Sequence, residues 1–542
     1  MLNISQKQAI TEIIGSNIKN RNDLMLYKRK ISKKYGISIP QNSEILKVLS
    51  IKNHNNYSVL RKILIKRAIR TLSGIAPVAV LTKPFACPGK CAYCPTEKDV
   101  PQSYLSNEPA VMRAIRCAYD PYRQVQFRLK SLEANGHEPT KIELIVIGGT
   151  WSVLPVEYKY WYIANCFAAA NNYKPQIQNH KSQIISKIQN PKSKISIKTS
   201  LKNLKKILLE EQKKNEKAKY KLIGVTLETR PDYIDEKELL EMRELGCTRV
   251  ELGVQAIDDK ILKLNLRGHK VVKITEATEW LKIFGFKVTY HLMPGLPGST
   301  AIKDFKMFKQ LFTDERFQPD QIKFYPTVVT KGSLLFKWWQ QGKYKPYSDK
   351  VLQKLIIDCK KIVPIYVRII RLIRDIPGES IIAGNTITNL RQVMQQKGVE
   401  CGCVRCREAR EQEVKSYKLK VTSYKASGGM EYFIEACSGD EKILYGFCRL
   451  RLLNKISLIS SCAAINSAAL IRELHVYGEL VSVGHDKKIQ HSGLGKKLMI
   501  EAEKIAKKNK FKKMAIISGV GVRGYYRKLG YRLKDSYMVK EI

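Results

Sequence analysis

Residues 76–94 read APVAVLTKPFACPGKCAYC. The run Ala76–Leu81 is apolar and rich in β-branched residues, so it predicts a short buried strand. A polar break follows, and then Cys87, Cys91 and Cys94 stand in C-x3-C-x2-C spacing. An iron–sulfur cubane takes four thiolates. A loop that offers three leaves one iron open to a small ligand. A structural zinc loop would draw all four ligands from protein, usually with cysteines in pairs. No fourth Cys or His stands within twenty residues of this loop, so the cluster is the expectation.

Three cysteines at this spacing are the radical S-adenosylmethionine signature. The open iron would be chelated by the methionine amino and carboxylate groups, and one-electron cleavage of the sulfonium would yield a 5′-deoxyadenosyl radical. From residue 76 to about 330 the chain alternates strand and helix patterns. Apolar, β-branched runs occur at 76–81, 142–147, 222–227, 248–254, 286–293 and 322–329, separated by amphipathic stretches such as 237–245. Six such units predict a partial parallel (β/α)6 barrel, α/β in class, with its chemistry at the C-terminal strand ends. Those ends carry the cysteines, Gly148-Gly149-Thr150, Glu228 with Arg230, Gln255, and His291-Leu292-Met293-Pro294-Gly295. Gly148 and Gly149 let backbone approach a ligand closely, fitting the methionine amino group. Glu228 and Arg230 are expected as a charge pair for a ligand carboxylate or ribose, with a structural salt bridge as the alternative.

Composition is ordinary for a globular chain, at 44% hydrophobic and 27% charged, but 96 Lys plus Arg against 49 Asp plus Glu give +47. So large an excess favours a polyanionic partner, with nucleic acid first; lysine-biased composition accounts for part of it. Residues 1–75 concentrate such charge as a basic N-terminal segment, which suits an RNA-binding surface and equally a solvated helix face; the resemblance given below implies that the RNA is tRNA. The chain has 542 residues, too many for one core. Its 13 cysteines are clustered or scattered singly, which fits metal ligation and buried thiols in a reducing compartment. No apolar run has signal-peptide or membrane-spanning character, so a cytoplasmic protein is expected. Whether it forms a homodimer or acts alone stays open.

The barrel unit is placed at 76–385, with a Lys/Asn-rich surface insertion at about 173–200. Trp338, Trp339, Tyr344 and Tyr347 lie among lysines, a pattern that suits stacked unpaired bases and equally suits core packing. Arg368, Arg371 and Arg374 stand three residues apart and must face solvent, acids or phosphate. A linker at 386–415 holds Cys401, Cys403 and Cys406, read as a zinc knot that needs one more ligand; Cys359 is one guess for it.

From 416 to 542 the pattern changes to an antiparallel meander followed by Arg472-Glu473-Leu474-His475-Val476-Tyr477 and then Gln490-His491-Ser492-Gly493-Leu494-Gly495-Lys496. Q-x-x-G-x-G opening a helix after such a meander is an acetyl-CoA pyrophosphate loop. Its glycines let successive amides point at phosphate, and the helix N-terminus adds partial positive charge. This predicts a mixed α/β acetyltransferase domain of the GNAT type. The phenol of Tyr525 or Tyr526 is the candidate proton donor to the CoA sulfur.

A radical cluster loop and an acetyl-CoA loop in one chain resemble the Elongator catalytic-subunit family, the tRNA wobble-uridine acetyltransferases. The resemblance rests on CPGKCAYCP (87–95), IELIVIGGTW (142–151), LETRPDYI (227–234), RVELGVQ (249–255), HLMPGLPGS (291–299), RELHVYG (472–478), QHSGLGKKLM (490–499) and ISGVGVRGYYRKLGY (517–531). It implies that the adenosyl radical takes a hydrogen from the acetyl methyl of acetyl-CoA. The carbon radical then adds to C5 of the wobble uridine in the tRNA anticodon stem-loop, and hydrolysis leaves a carboxymethyl group. It also implies acetyl-CoA contacts at Lys141, Glu473–Val476, Leu494–Lys496 and Tyr526. Two departures stand out: the three-residue gap between the first two cluster cysteines, and Pro95-Thr96-Glu97 where the family carries Pro-Gly-Gly. A protein lysine acetyltransferase with a non-catalytic RNA-binding barrel is the rival reading.

Overall fold

The computed structural model describes residues 2–51, 58–65, 74–174, 195–387, 389–410, 416–453, 461–477 and 493–542. Most of the expected insertion, part of the basic stretch after Leu64, and Gln490-His491-Ser492 lie outside the described residues.

Four helices, Ile4–Gly15, Arg21–Tyr35, Asn42–Ile51 and Ser58–Leu64, close around their own apolar core, with Ala9, Ile10, Ile13, Leu24, Ile31, Ile45, Leu60 and Leu64 buried. Asn3 and Asn20 cap the first two helices through their side chains, and Gly36 ends the second in the left-handed conformation. The lysines and arginines of this unit mostly remain at its surface.

The central unit is one parallel sheet of seven strands. Its members are β1 (Ala76–Leu81), β2 (Lys141–Ile147), β3 (Lys221–Thr229), β4 (Cys247–Gln255), β5 (Lys287–Leu292) and β6 (Gln321–Phe324). A short hairpin partner, β7 (Val329–Thr330), comes next in the chain, and β8 (Arg368–Arg371) is the seventh strand of the sheet. Strand β9 (Ile381–Ala383) pairs with β7. The sheet order β1-β2-β3-β4-β5-β6-β8, with helices on its outer face, is a half-barrel. The structure thus adds a strand to the six expected. Arg-Ile-Ile-Arg is too short and too charged at its ends to be read as a strand, and it is drafted by pairing with β6. It also corrects the run 322–329, whose sheet portion stops at Phe324 because Tyr325 and Pro326 turn the chain away.

In β2 the residues Ile142, Leu144 and Val146 bury outward under the helices, while Lys141, Glu143, Ile145 and Ile147 face the lumen. Successive side chains point to opposite faces, which produces this alternation. The helix Val156–Asn171 is buried on nearly every side, packed against Pro121–Ala134 and Leu201–Asn215.

The C-terminal unit is a second seven-stranded sheet: β10 (Lys418–Ala426), β11 (Gly429–Cys437), β12 (Leu444–Leu453), β13 (Ala468–Val476), β14 (Lys513–Ile516), β15 (Arg532–Lys534) and β16 (Tyr537–Glu541), ordered β10-β11-β12-β13-β14-β16-β15. Strands β10 to β13 form the antiparallel meander, and β14 joins β13 in parallel. The helix Leu494–Lys508 packs on this sheet through Leu494, Leu498, Met499, Ala502 and Ala506, with Ile505 only partly covered. This sheet seats against the N-terminal ends of the barrel strands. Gly521 abuts Lys221 and Leu222, Lys287 Nζ lies 3.4 Å from Glu473 Oε1, and Tyr537 donates to the Phe284 carbonyl at 2.9 Å.

Candidate active site: a cysteine loop and an acetyl-carrier fold at opposite ends of one barrel

The cysteine loop leaves β1 and crosses the C-terminal mouth of the barrel. Cys91 Sγ accepts from Arg267 Nη1 at 3.3 Å and lies 3.9 Å from Arg230 Nη1. The Cys94 thiol and the Arg267 guanidinium both favour a Cys91 thiolate, holding it well below the usual thiol range against the opposing effect of burial. Cys94 keeps its proton in that pair. Cys87 Sγ sits 3.9 Å from Thr150 Oγ1. A Cβ on Gly89 would meet the Arg230 guanidinium, which would have to shift from its place beside Cys91.

Three thiols with no fourth Cys or His near them in the chain suit an iron–sulfur cluster with one open iron. Three thiolates around one zinc at ~2.3 Å stand under 4 Å apart by tetrahedral geometry. Among the described residues, the one group of three such ligands whose donor atoms all lie within 4.8 Å of one another is Cys401, Cys403 and Cys406. Cys87, Cys91 and Cys94 do not form such a group: Cys91 and Cys94 share a hydrogen bond, while Cys87 stands beside Thr150.

Next to the loop, Gly148 and Gly149 take φ of 132° and 99°. A Cβ on Gly148 would fall on the Thr82 side chain, whereas Gly149 meets only the Gln102 carbonyl, at 3.9 Å. Gln255, the last residue of β4, holds φ at 70° and carries a buried Oε1 with no hydrogen-bond partner. A strained residue with an unpartnered buried acceptor at a strand end is a ligand-facing arrangement. With the two glycines it fits S-adenosylmethionine beside the cluster.

The expected pair of Glu228 with Arg230 does not form. Arg230 binds Asp232 (2.8 Å) and the Arg267 carbonyl (2.7 Å), whereas Glu228 accepts from Tyr104 at 2.9 Å and faces His291 Nδ1 at 3.6 Å. Glu228 is still in β3, whereas Arg230 lies past its end, at the start of the turn Pro231–Tyr233, where Asp232 is at hand. For the arginine triplet, the structure selects acids among the three outlets expected. Arg368 pairs with Glu408 (2.9 Å) and the Tyr477 hydroxyl (3.0 Å), Arg371 with Asp375, and Arg374 with Ser103 (3.1 Å) and Glu108 (3.5 Å). Acids, not phosphate, absorb these charges.

Between the two ends the barrel interior is polar, which the sequence reading missed. Arg249 reaches Glu143 across the lumen at 3.0 Å, and Glu251 binds His291 Nε2 at 2.9 Å and Lys323. Burial opposes ionisation of Glu251, but Lys323, His291 and Arg249 outweigh it and keep the carboxylate charged. A charged residue inside an alternating strand was the available signal: RVELGVQ places Arg249, Glu251 and Gln255 on one face. Arg267 had no such signal, since its role depends on a loop contact with Cys91.

At the opposite end stand Lys141 and the C-terminal sheet. Lys141, first in β2, is depressed in pKa by burial. Glu473 binds Arg449 at 3.0 Å, and its carboxyl falls to about 2 because Lys287 and Arg449 outweigh burial. Leu474 and Val476 are half-buried. His475 stacks near Phe447 and Tyr477, and burial lowers it to about 4 while its Nε2 has no partner. Gly493 (φ 78°) starts the helix carrying Leu494, Gly495 and Lys496. A Cβ on Gly495 would stand 2.8 Å from the Tyr525 hydroxyl. Tyr525 is 41% exposed and Tyr526 is buried, and burial raises both phenols.

In the linker, Cys403 is held as a thiolate by Cys401 and Cys406, and Arg391 Nη1 lies 4.0 Å from Cys406 Sγ. Their spacing fits one zinc ion. Cys359 is not in that group; it is buried in the helix Asp349–Ile362, with Asp304 and Asp358 as its charged neighbours.

Comparison with known proteins finds both kinds of unit. Residues 195–311 match the radical SAM superfamily, 319–398 the radical SAM C-terminal domain, and 404–531 the acetyltransferase (GNAT) family. The tRNA uridine(34) acetyltransferase of Dehalococcoides mccartyi is 41% identical over 88% of this chain and 100% of its own length. Elongator complex protein 3 of Homo sapiens is 37% identical over 96% of this chain and 93% of its own. The chain belongs to the family of tRNA uridine(34) acetyltransferases and Elongator complex protein 3. A solved structure of this family, the archaeal Elp3 of Methanocaldococcus infernus with an N-terminal deletion, superposes with a TM-score of 0.70. It is 38% identical and covers 86% of this chain and 99% of that one. Family members join radical SAM and GNAT units, and both are present here. Among the described residues no helix is long and apolar enough to cross a membrane.

Proposed function

We propose that this chain installs a carboxymethyl group on C5 of the wobble uridine of tRNA, using acetyl-CoA and S-adenosylmethionine. The observation that carries this reading is the Cys87/Cys91/Cys94 loop at one mouth of a half-barrel whose other mouth is closed by a GNAT sheet. Cys87, Cys91 and Cys94 would hold the cluster, while Gly148, Gly149 and Gln255 would seat S-adenosylmethionine. When bound, the pair supplies a carbon radical able to take hydrogen from the acetyl methyl. Gly493, Gly495 and the helix N-terminus behind them would hold the CoA pyrophosphate, with Gln490 outside the described residues. Lys141, Glu473–Val476 and Tyr526 would face the acetyl-pantetheine arm. The polar lumen, with Arg249, Glu251, His291 and Lys323, separates the two mouths by ~20 Å along β2 at 3.3 Å per residue.

Tyr526, kept protonated by burial, can donate to the departing CoA sulfur. The basic helices at 4–64 would hold the anticodon stem by phosphates, so affinity should fall steeply with salt. A wobble base, already unpaired, turns outward at little stacking cost. Cys401, Cys403 and Cys406 would bind zinc as a structural tie between barrel and GNAT unit.

The test is anaerobic reconstitution with iron, sulfide, S-adenosylmethionine, acetyl-CoA and tRNA, followed by nucleoside mass analysis. Uridine gaining the mass of a carboxymethyl group, lost in Cys91→Ser, is expected. Lysine acetylation without any nucleoside product would instead support the rival.

A further inference from the structure

Beside the cysteine loop lies a cavity of about 290 Å³ to which no role has been given. Its walls include Leu264, Trp338, Tyr344 and Tyr347, and its rim carries the exposed Lys343 and Lys345; no carboxylate lines it. The cavity is physically tied to the loop. The Ala92 amide donates to the Asn265 carbonyl (3.1 Å), the Leu335 amide donates to the Ala92 carbonyl (2.7 Å), and Asn265 Nδ2 donates to the Pro297 carbonyl (3.0 Å). One wall is the turn after β5, and the other is the short helix bearing Trp338. Both stand at the C-terminal mouth of the barrel, where the radical would form.

The aromatic rings are fixed in place. Tyr344 donates to the Gly295 carbonyl and Tyr347 to Asp304 Oδ2, each at 2.7 Å, so their hydroxyls are spent. Their ring surfaces and that of Trp338 remain to line the cavity. Rigid π-surfaces under a pair of lysines, without acids, are the elements that hold a single-stranded nucleotide by stacking and phosphate attraction. The volume has room for one base with its sugar and not for a base pair.

We infer that this cavity holds the unpaired base of the nucleotide adjacent to the modified uridine. Trp338 is its stacking surface, and Lys343 and Lys345 hold its phosphates. Resting on the tRNA reading above, the inference assigns to this pocket the positioning of the anticodon loop, which would present the target base to the cysteine-loop mouth.

The experiment measures affinity of the full chain for an anticodon stem-loop RNA, intact or abasic at the nucleotide on either side of the target. In the native protein one of the two abasic RNAs should bind about 5- to 150-fold more weakly, the range expected for one stacked base. Trp338→Leu should lower affinity for the intact RNA similarly and lose sensitivity to that abasic site, whereas Trp338→Tyr should restore part of both. The exposed pair Lys343→Ala/Lys345→Ala, which does not threaten folding, should reduce the salt slope by about 0.7 per lost phosphate contact. Acetyl-CoA binding should be unchanged in every variant. Equal abasic costs in native and Trp338→Leu protein, or an unchanged salt slope in the lysine variant, overturns the inference. No binding of the intact stem-loop by native protein would instead overturn the tRNA reading itself.

Discussion

Asp320, at the foot of the barrel, and Arg472, in β13, form a two-pronged ion pair with both side chains fully buried, one contact being 2.9 Å. Around it gather Arg449 (3.6 Å from Asp320), Glu431 (3.0 Å from Arg472), Arg451 (3.1 Å from Glu431) and Lys282 (3.6 Å from Glu431). The interface between barrel and GNAT sheet is therefore electrostatic at its centre. Removing one partner leaves the others charged and dry, so Asp320→Ala should cost about 3–5 kcal/mol in denaturant unfolding. A cost under about 1 kcal/mol would show that the interface is held elsewhere.

The same cluster sets an acid limit. Asp320 and Glu473 are both depressed, Glu473 to about 2, because neighbouring cations outweigh burial. Depressed carboxyls contribute stability that is complete above their unfolded values near 4 and is lost as pH falls toward 2. Unfolding free energy should be level from pH 7 to about 5 as far as these groups are concerned, then fall. Asp320→Asn should flatten part of that fall.

Lys282 behaves oppositely. It is fully buried, its Nζ has no hydrogen bond, and burial lowers its pKa to about 8. With it the cluster holds five cations, Arg449, Arg451, Arg472, Lys282 and Lys287, against the three carboxylates Asp320, Glu431 and Glu473. Lys282→Met should be neutral or stabilising by about 1 kcal/mol or more. In the native protein this lysine withholds stability below pH 8 and returns it between about 8 and 10.5. The Met variant should lack that alkaline gain, measured by urea unfolding across pH.

The two cysteine groups should separate by metal. Cys91→Ser should abolish iron and its visible absorption while zinc remains. Cys403→Ser should release zinc, leave the iron chromophore, and lower thermal stability. Elemental analysis of both variants checks the pair; loss of both metals together in either variant would contradict two independent sites.

The adjacent tyrosines should differ. Tyr526→Phe should lower turnover by about 100-fold or more with little change in acetyl-CoA KM, since a proton donor acts in the transition state. Its raised pKa makes the native rate independent of this phenol from pH 6 to 9. Tyr525, whose hydroxyl lies against Gly495, should act on KM when changed to Phe.

The sequence by itself determined what local pattern can encode. Short apolar, β-branched runs placed β1 to β5 and the GNAT meander, cysteine spacing announced a metal loop, and the glycine motifs contained Gly148 and Gly493, whose backbone proves left-handed. These are short-range properties, written within a few residues. Tertiary structure alone decided the partners. Glu228 and Arg230 look paired in sequence, yet Tyr104 and Asp232 claim them. The strand β8 exists only because β6 offers it an edge. Arg267 reaches Cys91 from 176 positions away. Buried charges choose partners by where strands and loops converge, and that convergence belongs to the packed fold, not to any one segment.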